Sequence, residues 1–400
     1  MKKVLEYLNL REVGLLELLF ASTQMLSGFT LAGIPLMLLM WLIMIAVLVF
    51  RGKYKMKIFR PLLLFAGYWI VHEFAIMALD SGYNYNSLIG QLIYYAGFFC
   101  LYSHLDSKKL RGAFNWMAII TIIGLLVHWG DILSGNFVHP LEIPGLGMPE
   151  NRLEQAVPRP SSFYMEASAC VSFMVIPLMY SLVDKKYVWM IVLVLSIFLT
   201  TSTTGIVGVF IMLLVSMFVQ KSINKSSIAI LILGGILTFV LFNSSAFEYG
   251  VEKLFTTESG TNEDRLEQGM YIVSTMEPGE MIFGAPYSSP AHYCLSGRAP
   301  KASWYGSGEG ASVYMSSFWF IILRFGIVGL LIYLNIYLHV FRLNRKVWPL
   351  LAFMAANTFS APDVVGVNYM VCLLVMLSVG VEDRYSTQVS KKKNNRYAKE

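Results

Sequence analysis

The stretch 312–340 is SVYMSSFWFIILRFGIVGLLIYLNIYLHV, an apolar run that contains one charged residue, Arg324. A helix needs about 20 mostly apolar residues to cross a bilayer, so this run can span one at a strong tilt. An arginine inside such a span is expected to be paired or to line a cavity. The segment before it, 244–311, is the one long polar segment between apolar ones, and we expect recognition or chemistry there.

The composition of the whole chain is that of a polytopic membrane protein. Of its 400 residues, 56% are hydrophobic and 14% are charged, and the mean hydropathy is +0.59. Soluble domains contain about 25% charged residues. The net charge of +6 is divided among short loops, so it does not indicate a nucleic-acid surface. The four cysteines have no zinc-ligand spacing, and the only one in the long polar segment is Cys294.

Apolar blocks predict an all-α fold of about 12 transmembrane helices in a single domain over 1–381. The predicted spans are 12–28, 29–50, 61–80, 87–105, 112–132, 162–183, 187–202, 204–220, 227–243, 312–340, 347–361 and 364–381. Lysine and arginine concentrate in alternate loops, so the positive-inside rule places those loops and both termini in the cytoplasm. The external side then carries two long loops, at 133–161 and 244–311. The basic tail 382–400 is predicted to be cytoplasmic, disordered and able to contact anionic lipid headgroups.

The first candidate site lies where the external loop 133–161 enters the sixth predicted span. Arg159 stands between Pro158 and Pro160, and Glu166 follows just inside the span. We expect the carboxylate to be partly buried and to face the bundle interior or a water-filled cavity, because its exposure to lipid is costly. Alternatively, the two charged residues pair with each other or with a neighbour and fix the loop.

A second candidate is the run of hydroxyl side chains at 200–204, which includes Ser202 and precedes Gly205. It falls at the tight external turn between the seventh and eighth predicted spans. Hydroxyl groups commonly cap helix ends, so a capped turn is the simpler interpretation. The alternative is that these hydroxyls contact a sugar or a phosphate.

The long external loop predicts a helix from about 262 to Met276, broken by Pro278 and Gly279 and followed by a turn at 282–286. Arg265 is its one basic residue amid four carboxylates, either in a solvated ion pair or as a substrate ligand. A Ser/Gly/Pro-rich run follows and favours a mobile, solvated surface. That run contains His292, Arg298 and Lys301.

Other polar residues fall inside predicted spans, namely Glu17, His72, Glu73, His128 and Asp363. His72 and Glu73 are adjacent and point to different helix faces, so we expect packing hydrogen bonds from them. The chain contains no Walker loop, HExxH, GxSxG or dinucleotide fingerprint, and the sequence therefore predicts no cofactor and no metal site.

Three of these segments together resemble the motifs of the O-antigen polymerase and O-antigen ligase family of bacterial membrane glycosyltransferases. The run 159–166, RPSSFYME, resembles that family's R-x-S-G-x-F-x-E-P, and 199–205 resembles its T-x-S-R-x-G turn. Arg265, then Pro278 to Gly284, then Arg324-Phe325-Gly326-Ile327-Val328-Gly329 is similar to R…P-x-x-G…yG-x-x-G. The resemblance covers roughly 150–330.

The chain departs from the family pattern at several positions. Ser162 and Ala167 replace the Gly and Pro of the first motif, and Thr203 or Thr204 stands where an Arg is common. The ligase branch usually has a His near the start of the tenth span, where this chain has 314–317, YMSS. That difference favours the polymerase branch, although His292 upstream could substitute.

The resemblance implies a GT-C-like fold and a polymerase acting at the outer face of a bacterial cytoplasmic membrane. Its donor and acceptor would be oligosaccharide repeat units on undecaprenyl diphosphate, joined into an O-antigen, a capsule or a related glycan. Arg159 and Arg265 would neutralise the diphosphate, with Arg298 third, and Glu166 would accept the hydroxyl proton or orient Arg159. His292, Ser202 and Arg324 are further candidates for substrate binding. A protein that sets chain length is a further implied partner.

Two other functions remain open at this point. A ligase would share the fold and transfer the glycan to a lipid acceptor. A transporter or flippase would also suit twelve spans with both termini inside, and would place its essential charges near the middle of the bilayer, at Glu73 and Arg324. The chain shows no matched halves, which weighs against a transporter.

Overall fold

The computed structural model describes residues 2–52, 57–79, 83, 85–136, 141–148, 159–220, 267–302, 313, 315–360 and 366–380. The helices in these ranges are α1 (Lys2–Tyr7), α2 (Leu15–Met25), α3 (Leu36–Phe50), α4 (Arg60–Leu79), α5 (Tyr85–Leu101), α6 (Ser107–Leu133), α7 (Ala167–Asp184), α8 (Tyr187–Leu199), α9 (Thr203–Gln220), α10 (Gly269–Ser274), α11 (Pro278–Phe283), α12 (Pro290–Leu295), α13 (Ser317–Leu343), α14 (Trp348–Ser360) and α15 (Val367–Gly380). Short 3-10 turns cover Leu26–Gly28 and Arg345–Val347.

The chain is an all-α membrane protein. Four described helices, α4, α6, α7 and α13, are long and apolar enough to cross a membrane. Shorter apolar helices, α3, α5, α8, α9 and α15, lie in other predicted spans. The predicted ninth span, 227–243, lies outside the described residues, as do Arg265, Asp363 and the tail 382–400.

The second predicted span begins later than the sequence suggested. The prediction placed its start at 29, but Thr30–Leu31 and Ile34–Pro35 form an antiparallel two-stranded ribbon, and α3 begins at Leu36. The turn between the strands has Ala32 at φ 51° and Gly33 at φ 80°. Positive φ at both turn residues is the geometry of a tight hairpin, which apolar periodicity does not reveal.

The core of the bundle is a continuous cluster of buried apolar side chains from α2 to α9 and from α13 to α15. Polar groups inside it support the backbone. Asp106 caps α6 by accepting hydrogen bonds from the backbone N–H groups of Lys108 and Lys109. Glu17 in turn accepts the N–H of Asp106 at 3.1 Å. The carboxylate of Glu17, predicted inside the first span, therefore has a structural partner.

The segment 267–302, predicted to be external, is partly packed against the bundle. Its helices α10, α11 and α12 bury a second apolar cluster against the start of α13, and that cluster includes Tyr293, Cys294, Ala299 and Leu323. The predicted break at Pro278 is present, and this proline also starts α11 as its first residue. The predicted solvated surface around His292, Arg298 and Lys301 is correct only in part: Tyr293, Cys294 and Ala299 in this run are buried, whereas 295–297 and Lys301 are exposed.

Helix α13 is broken at Gly326, whose backbone has φ 66° and ψ −172°. This region of backbone space is essentially restricted to glycine. A Cβ atom at Gly326 would lie 2.2 Å from the carbonyl oxygen of Ile282, so α11 approaches the break more closely than any side chain allows. Gly284, at φ 98°, is the reciprocal contact, because a Cβ there would lie 2.1 Å from the carbonyl oxygen of Arg324. The two glycines fix how α11 sits on α13.

We expect Gly326→Ala to lower the free energy of unfolding by at least about 2–3 kcal/mol, because it adds backbone strain to a steric clash. The matched control is Gly67→Ala in α4, where a Cβ would have nothing within 4 Å. That change should be neutral or slightly stabilising, since alanine favours helix more than glycine does. The measurement is the temperature at which detergent-purified protein loses its monodisperse elution peak. Equal melting temperatures for the two variants would contradict this account.

Candidate functional site

Breaking α13 releases backbone groups that an apolar environment cannot hydrate, and two carbonyls beside the break have partners from other elements. The carbonyl of Leu323 accepts the N–H of Ala285 at 2.7 Å. The hydroxyl of Tyr68 on α4 is shared between the carbonyl oxygens of Phe283 and Phe325, at 2.9 Å from each. Tyr68 thus ties together three elements, α4, α11 and α13.

Arg324 is held beside the break by groups from α4 and from the segment 267–302. Its guanidinium forms an ion pair with Glu73 and donates hydrogen bonds to the carbonyls of Ser288 and, at 3.2 Å, Tyr287. Only 11% of the Arg324 side chain and 4% of the Glu73 side chain are exposed. A buried charge pair is tolerated when its remaining donors and acceptors are also satisfied, and here they largely are.

Tyr83, which lies between α4 and α5, completes the environment of Glu73. Its hydroxyl donates to the second carboxylate oxygen at 2.5 Å. Burial, together with the hydrogen bond to the Glu73 carboxylate, raises the pKa of Tyr83 well above its ordinary value. The phenol therefore stays protonated at physiological pH and remains a donor to the carboxylate.

The segment 267–302 carries two further candidates, His292 and Arg298, each with defined partners. The hydroxyl of Ser288 shares a hydrogen bond of 2.5 Å with Nδ1 of His292, and Ser289 caps α12 by accepting the His292 N–H at 3.2 Å. Arg298 pairs with Glu277 at 2.7 Å and with Glu280 at 3.7 Å. The hydrogen bond to Glu277, and then the charge of Glu280, raise the pKa of Arg298 further, so it is a permanent cation.

Arg159 and Glu166 lie elsewhere, between the end of α6 and the start of α7, and Ser202 lies in the turn between α8 and α9. The N–H groups of Ser161 and Ser162, just after Arg159, donate to Nδ1 of the buried His128 at 3.2 and 3.3 Å. Ser162 has φ 56°, in the left-handed region that favours glycine. The loop that carries Arg159 is therefore fixed to α6 through its backbone.

Glu166 occupies the N-cap position of α7, and the hydroxyl of Ser168 donates to its carboxylate at 3.0 Å. The residue is exposed, so the prediction that it is partly buried is wrong. The helix starts one residue after it, at Ala167, and the carboxylate therefore lies at the entrance of α7 rather than inside the span.

The hydroxyl-rich turn at 200–204 has the capped geometry expected of it. Thr201 has φ 54°, and the hydroxyl of Thr200 accepts the N–H of Ser202 at 3.3 Å. The Ser202 hydroxyl accepts the N–H of Gly205 at 3.4 Å. Because Ser202 is buried and serves this turn, the interpretation as a capped turn is confirmed.

A polar cavity lies between α7, α13, α14 and α15. Its lining includes the side chains Ser172, Tyr333, Tyr337, Asn357, Thr358, Asn368 and Tyr369. The hydroxyls of Tyr333, Tyr337 and Thr358 form a chain with spacings of 3.0 and 3.1 Å. The cavity volume is about 30 Å³, which is enough for about two water molecules. Ser172 lies six residues after Glu166, which is about 9 Å along the axis of α7 at 1.5 Å per residue.

The structure thus links Arg324 to His292 through Ser288 and places Arg298 on the same segment, whereas Arg159 and Glu166 lie between α6 and α7 and Ser202 lies between α8 and α9. Within the described ranges, no three His, Cys, Asp or Glu side chains are grouped so that they could hold a metal ion. The sequence missed the partners Tyr68 and Tyr83 and the tyrosines of the cavity. It offered one usable signal for the ion pair, because Glu73 and Arg324 are opposite charges inside apolar spans.

We expect Ser162→Gly to stabilise the protein by about 1 kcal/mol, because it relieves left-handed strain and removes a buried hydroxyl that has no hydrogen-bond partner. Ser161→Gly is the matched control. Ser161 is a neighbouring buried serine, its N–H bonds the same histidine, and it is not among the residues with positive φ. The control should lower stability, since glycine costs chain entropy there. Thermal unfolding in detergent measures both, and a lower melting temperature for Ser162→Gly would contradict the interpretation.

No family model, curated protein or solved structure matches the chain. Function is therefore inferred from the residues and their geometry alone.

Proposed function

We propose that the chain is a membrane glycosyltransferase that polymerises oligosaccharide repeat units carried on undecaprenyl diphosphate. In this proposal it has about twelve spans with both termini in the cytoplasm, a GT-C-like fold, and an active site on the outer face of a bacterial cytoplasmic membrane. Its product is a surface polysaccharide, such as an O-antigen or a capsule.

One observation carries the proposal. Two positions that correspond to glycine in the resembled motifs have a backbone that favours or requires glycine: Ser162 at φ 56° and Gly326 at φ 66°. Gly284, at φ 98°, ends the stretch from Pro278 that is similar to P-x-x-G but has a longer spacing. Gly284 and Gly326 also contact each other's segments across the broken helix. The motifs were matched on letters alone, and this geometry supplies a physical reason for glycine at those places.

The chemistry requires charge neutralisation and a proton acceptor. An acceptor hydroxyl oxygen attacks the anomeric carbon of the donor glycan, the bond from that carbon to the diphosphate oxygen breaks, and lipid diphosphate leaves with the bonding electrons. Arginines suit the developing negative charge because guanidinium pairs with phosphate oxygens and stays charged. Arg159 and Arg265 are the proposed ligands, and Glu166 accepts the hydroxyl proton or orients Arg159.

The described contacts refine the roles of the other two arginines. Arg298 is 34% exposed and its main partner Glu277 is 63% exposed, so a diphosphate can compete for it at low cost. Arg324 is buried and fully engaged, which disfavours it as a substrate ligand. Membrane lipids and a protein that sets chain length are further proposed partners.

Two alternatives retain support. A ligase would use the same fold, with His292 in place of the histidine that its branch usually has near the tenth span. A transporter is favoured by one observation, the broken helix α13 with the buried Glu73–Arg324 pair beside it, because carriers bind substrates at discontinuous helices.

The test uses surface polysaccharide from a deletion strain, separated on a gel after complementation at matched membrane levels. Arg159→Ala, Arg265→Ala and Glu166→Gln should each reduce the polymer ladder by roughly 10²-fold or more, the usual effect of removing a group that stabilises developing charge. Arg342→Ala is the control, because this exposed arginine lies at the opposite end of α13 and should restore the full ladder.

The deletion strain separates the three functions. A single repeat unit left on its carrier or core supports a polymerase. Full-length polymer that stays on the lipid carrier would instead identify a ligase. Lipid-linked repeats that accumulate on the inner leaflet would identify a transporter and overturn the proposal.

A further inference from the structure

We infer that Arg324 is a positioning residue that anchors the external segment 284–298 on the broken helix α13, and that Glu73 holds Arg324 in this role. The segment carries His292 and Arg298. What it binds rests on the proposed function, but the anchoring does not.

The geometry forms one continuous path from the membrane core to the external segment. Tyr83 donates to Glu73, Glu73 pairs with Arg324, and Arg324 donates to the carbonyl of Ser288. The side chain of the same Ser288 is bonded to the imidazole of His292. The guanidinium therefore fixes the backbone of the residue whose hydroxyl orients the histidine.

Arginine is suited to this role because its planar fork donates in several directions at once. One terminal nitrogen of Arg324 serves two carbonyls and the other serves Glu73. A lysine has a single ammonium on a flexible stem and cannot reproduce that arrangement. Removing one partner of a buried pair also leaves an uncompensated charge, which costs far more than the loss of an exposed pair.

Arg324 contacts the segment at a place that the other contacts of the broken helix do not reach. Below the segment, Gly284 and Gly326 are in contact, and Tyr68 satisfies the carbonyls on both sides. These contacts end at Ala285. Beyond it, the carbonyls of Tyr287 and Ser288 bond to Arg324. The segment from 286 onward is also held by the contact of Tyr293 with Thr275 and by the pairs of Arg298 with Glu277 and Glu280. Loss of the guanidinium should therefore loosen the docking of this segment on α13 while leaving the bundle intact.

Cys294 reports this loosening directly. It lies on α12, two residues after His292, in the buried cluster that also contains Ala285 and Leu323. Burial raises the pKa of the Cys294 thiol to about 11. Exposure would bring the thiol closer to the ordinary value near 8.5 and make it accessible, so its reaction with a water-soluble maleimide should speed up at least about tenfold.

The experiment measures maleimide labelling of purified protein in detergent for wild type, Arg324→Met, Arg324→Lys and Glu73→Gln. Each is paired with the same protein carrying Cys294→Ala, which subtracts the signal of the other three cysteines. The matched control is Arg111→Met, which breaks a second partly buried pair, Arg111–Asp184, with 14% and 17% of the two side chains exposed. Elution profiles and melting temperatures confirm that each variant is folded.

The expected result is rapid Cys294 labelling in all three variants of the anchor and slow labelling in wild type and Arg111→Met. Arg324→Lys and Glu73→Gln keep the test decisive if Arg324→Met does not fold. Continued protection of Cys294 in the folded variants would overturn the inference. Equal exposure in Arg111→Met would also overturn it, because the effect would then be general loosening.

A second readout separates positioning from a purely structural effect. In the polysaccharide gel, Arg324→Met combined with His292→Ala should be no worse than the more damaging single change, because both act through one segment. Arg324→Met combined with Arg159→Ala should be worse than either. If the wild-type gene restores no ladder in the deletion strain, the proposed function fails. The labelling of Cys294 still shows whether Arg324 anchors the segment. If the losses of ladder caused by Arg324→Met and His292→Ala simply add, then Arg324 does not act through the segment that carries His292, and the inference is overturned.

Discussion

The structure depends on how the backbone is satisfied where α13 breaks inside an apolar bundle. A helix interruption at that depth leaves carbonyl groups without intrahelical partners, and lipid provides none. Tyr68, the N–H of Ala285 and the guanidinium of Arg324 supply hydrogen bonds between the break and the segment docked on it. The break, the docking of α11 and the buried charge pair are therefore one unit, and a change in any of them should disturb the others.

Much of the fold could be predicted because helix formation in a membrane follows from local apolarity. Blocks of apolar residues gave the class and the approximate positions of the described helices. The ribbon at 30–35 and the break at Gly326 could not be predicted in this way. Both depend on positive φ angles, which arise in a tight hairpin turn at Ala32 and Gly33 and in the contact with α11 at Gly326. The burial of Cys294 was missed for a related reason, since a Ser/Gly/Pro-rich run resembles a solvated loop until its packing partners on α13 are known.

The sequence indicated which residues belong to the candidate site better than it indicated how they are arranged. Arg324 and Glu73 were recognisable as buried charges, but their pairing was not predicted, because no local pattern joins positions so far apart. Glu166 was assigned to the bundle interior from its place beside an apolar run. The helix begins one residue later, and that single step moves the carboxylate to the surface. At Ser162 the chain departs from the resembled motif, which has glycine at this position. The backbone there nevertheless has the left-handed conformation that glycine favours.

The separation of Glu73 and Arg324 in the chain, 251 residues, has a consequence for synthesis. At about 5–20 residues per second, ribosomes need roughly 10–50 s to make the intervening chain. During that interval α4 enters the membrane with a carboxylate whose charged partner does not yet exist, and an unpaired charge at such a site costs about 2.5–3.5 kcal/mol. The part of the chain that precedes α13 is thus inserted in an incomplete state, and the arrival of α13 supplies the charge that neutralises Glu73 on α4.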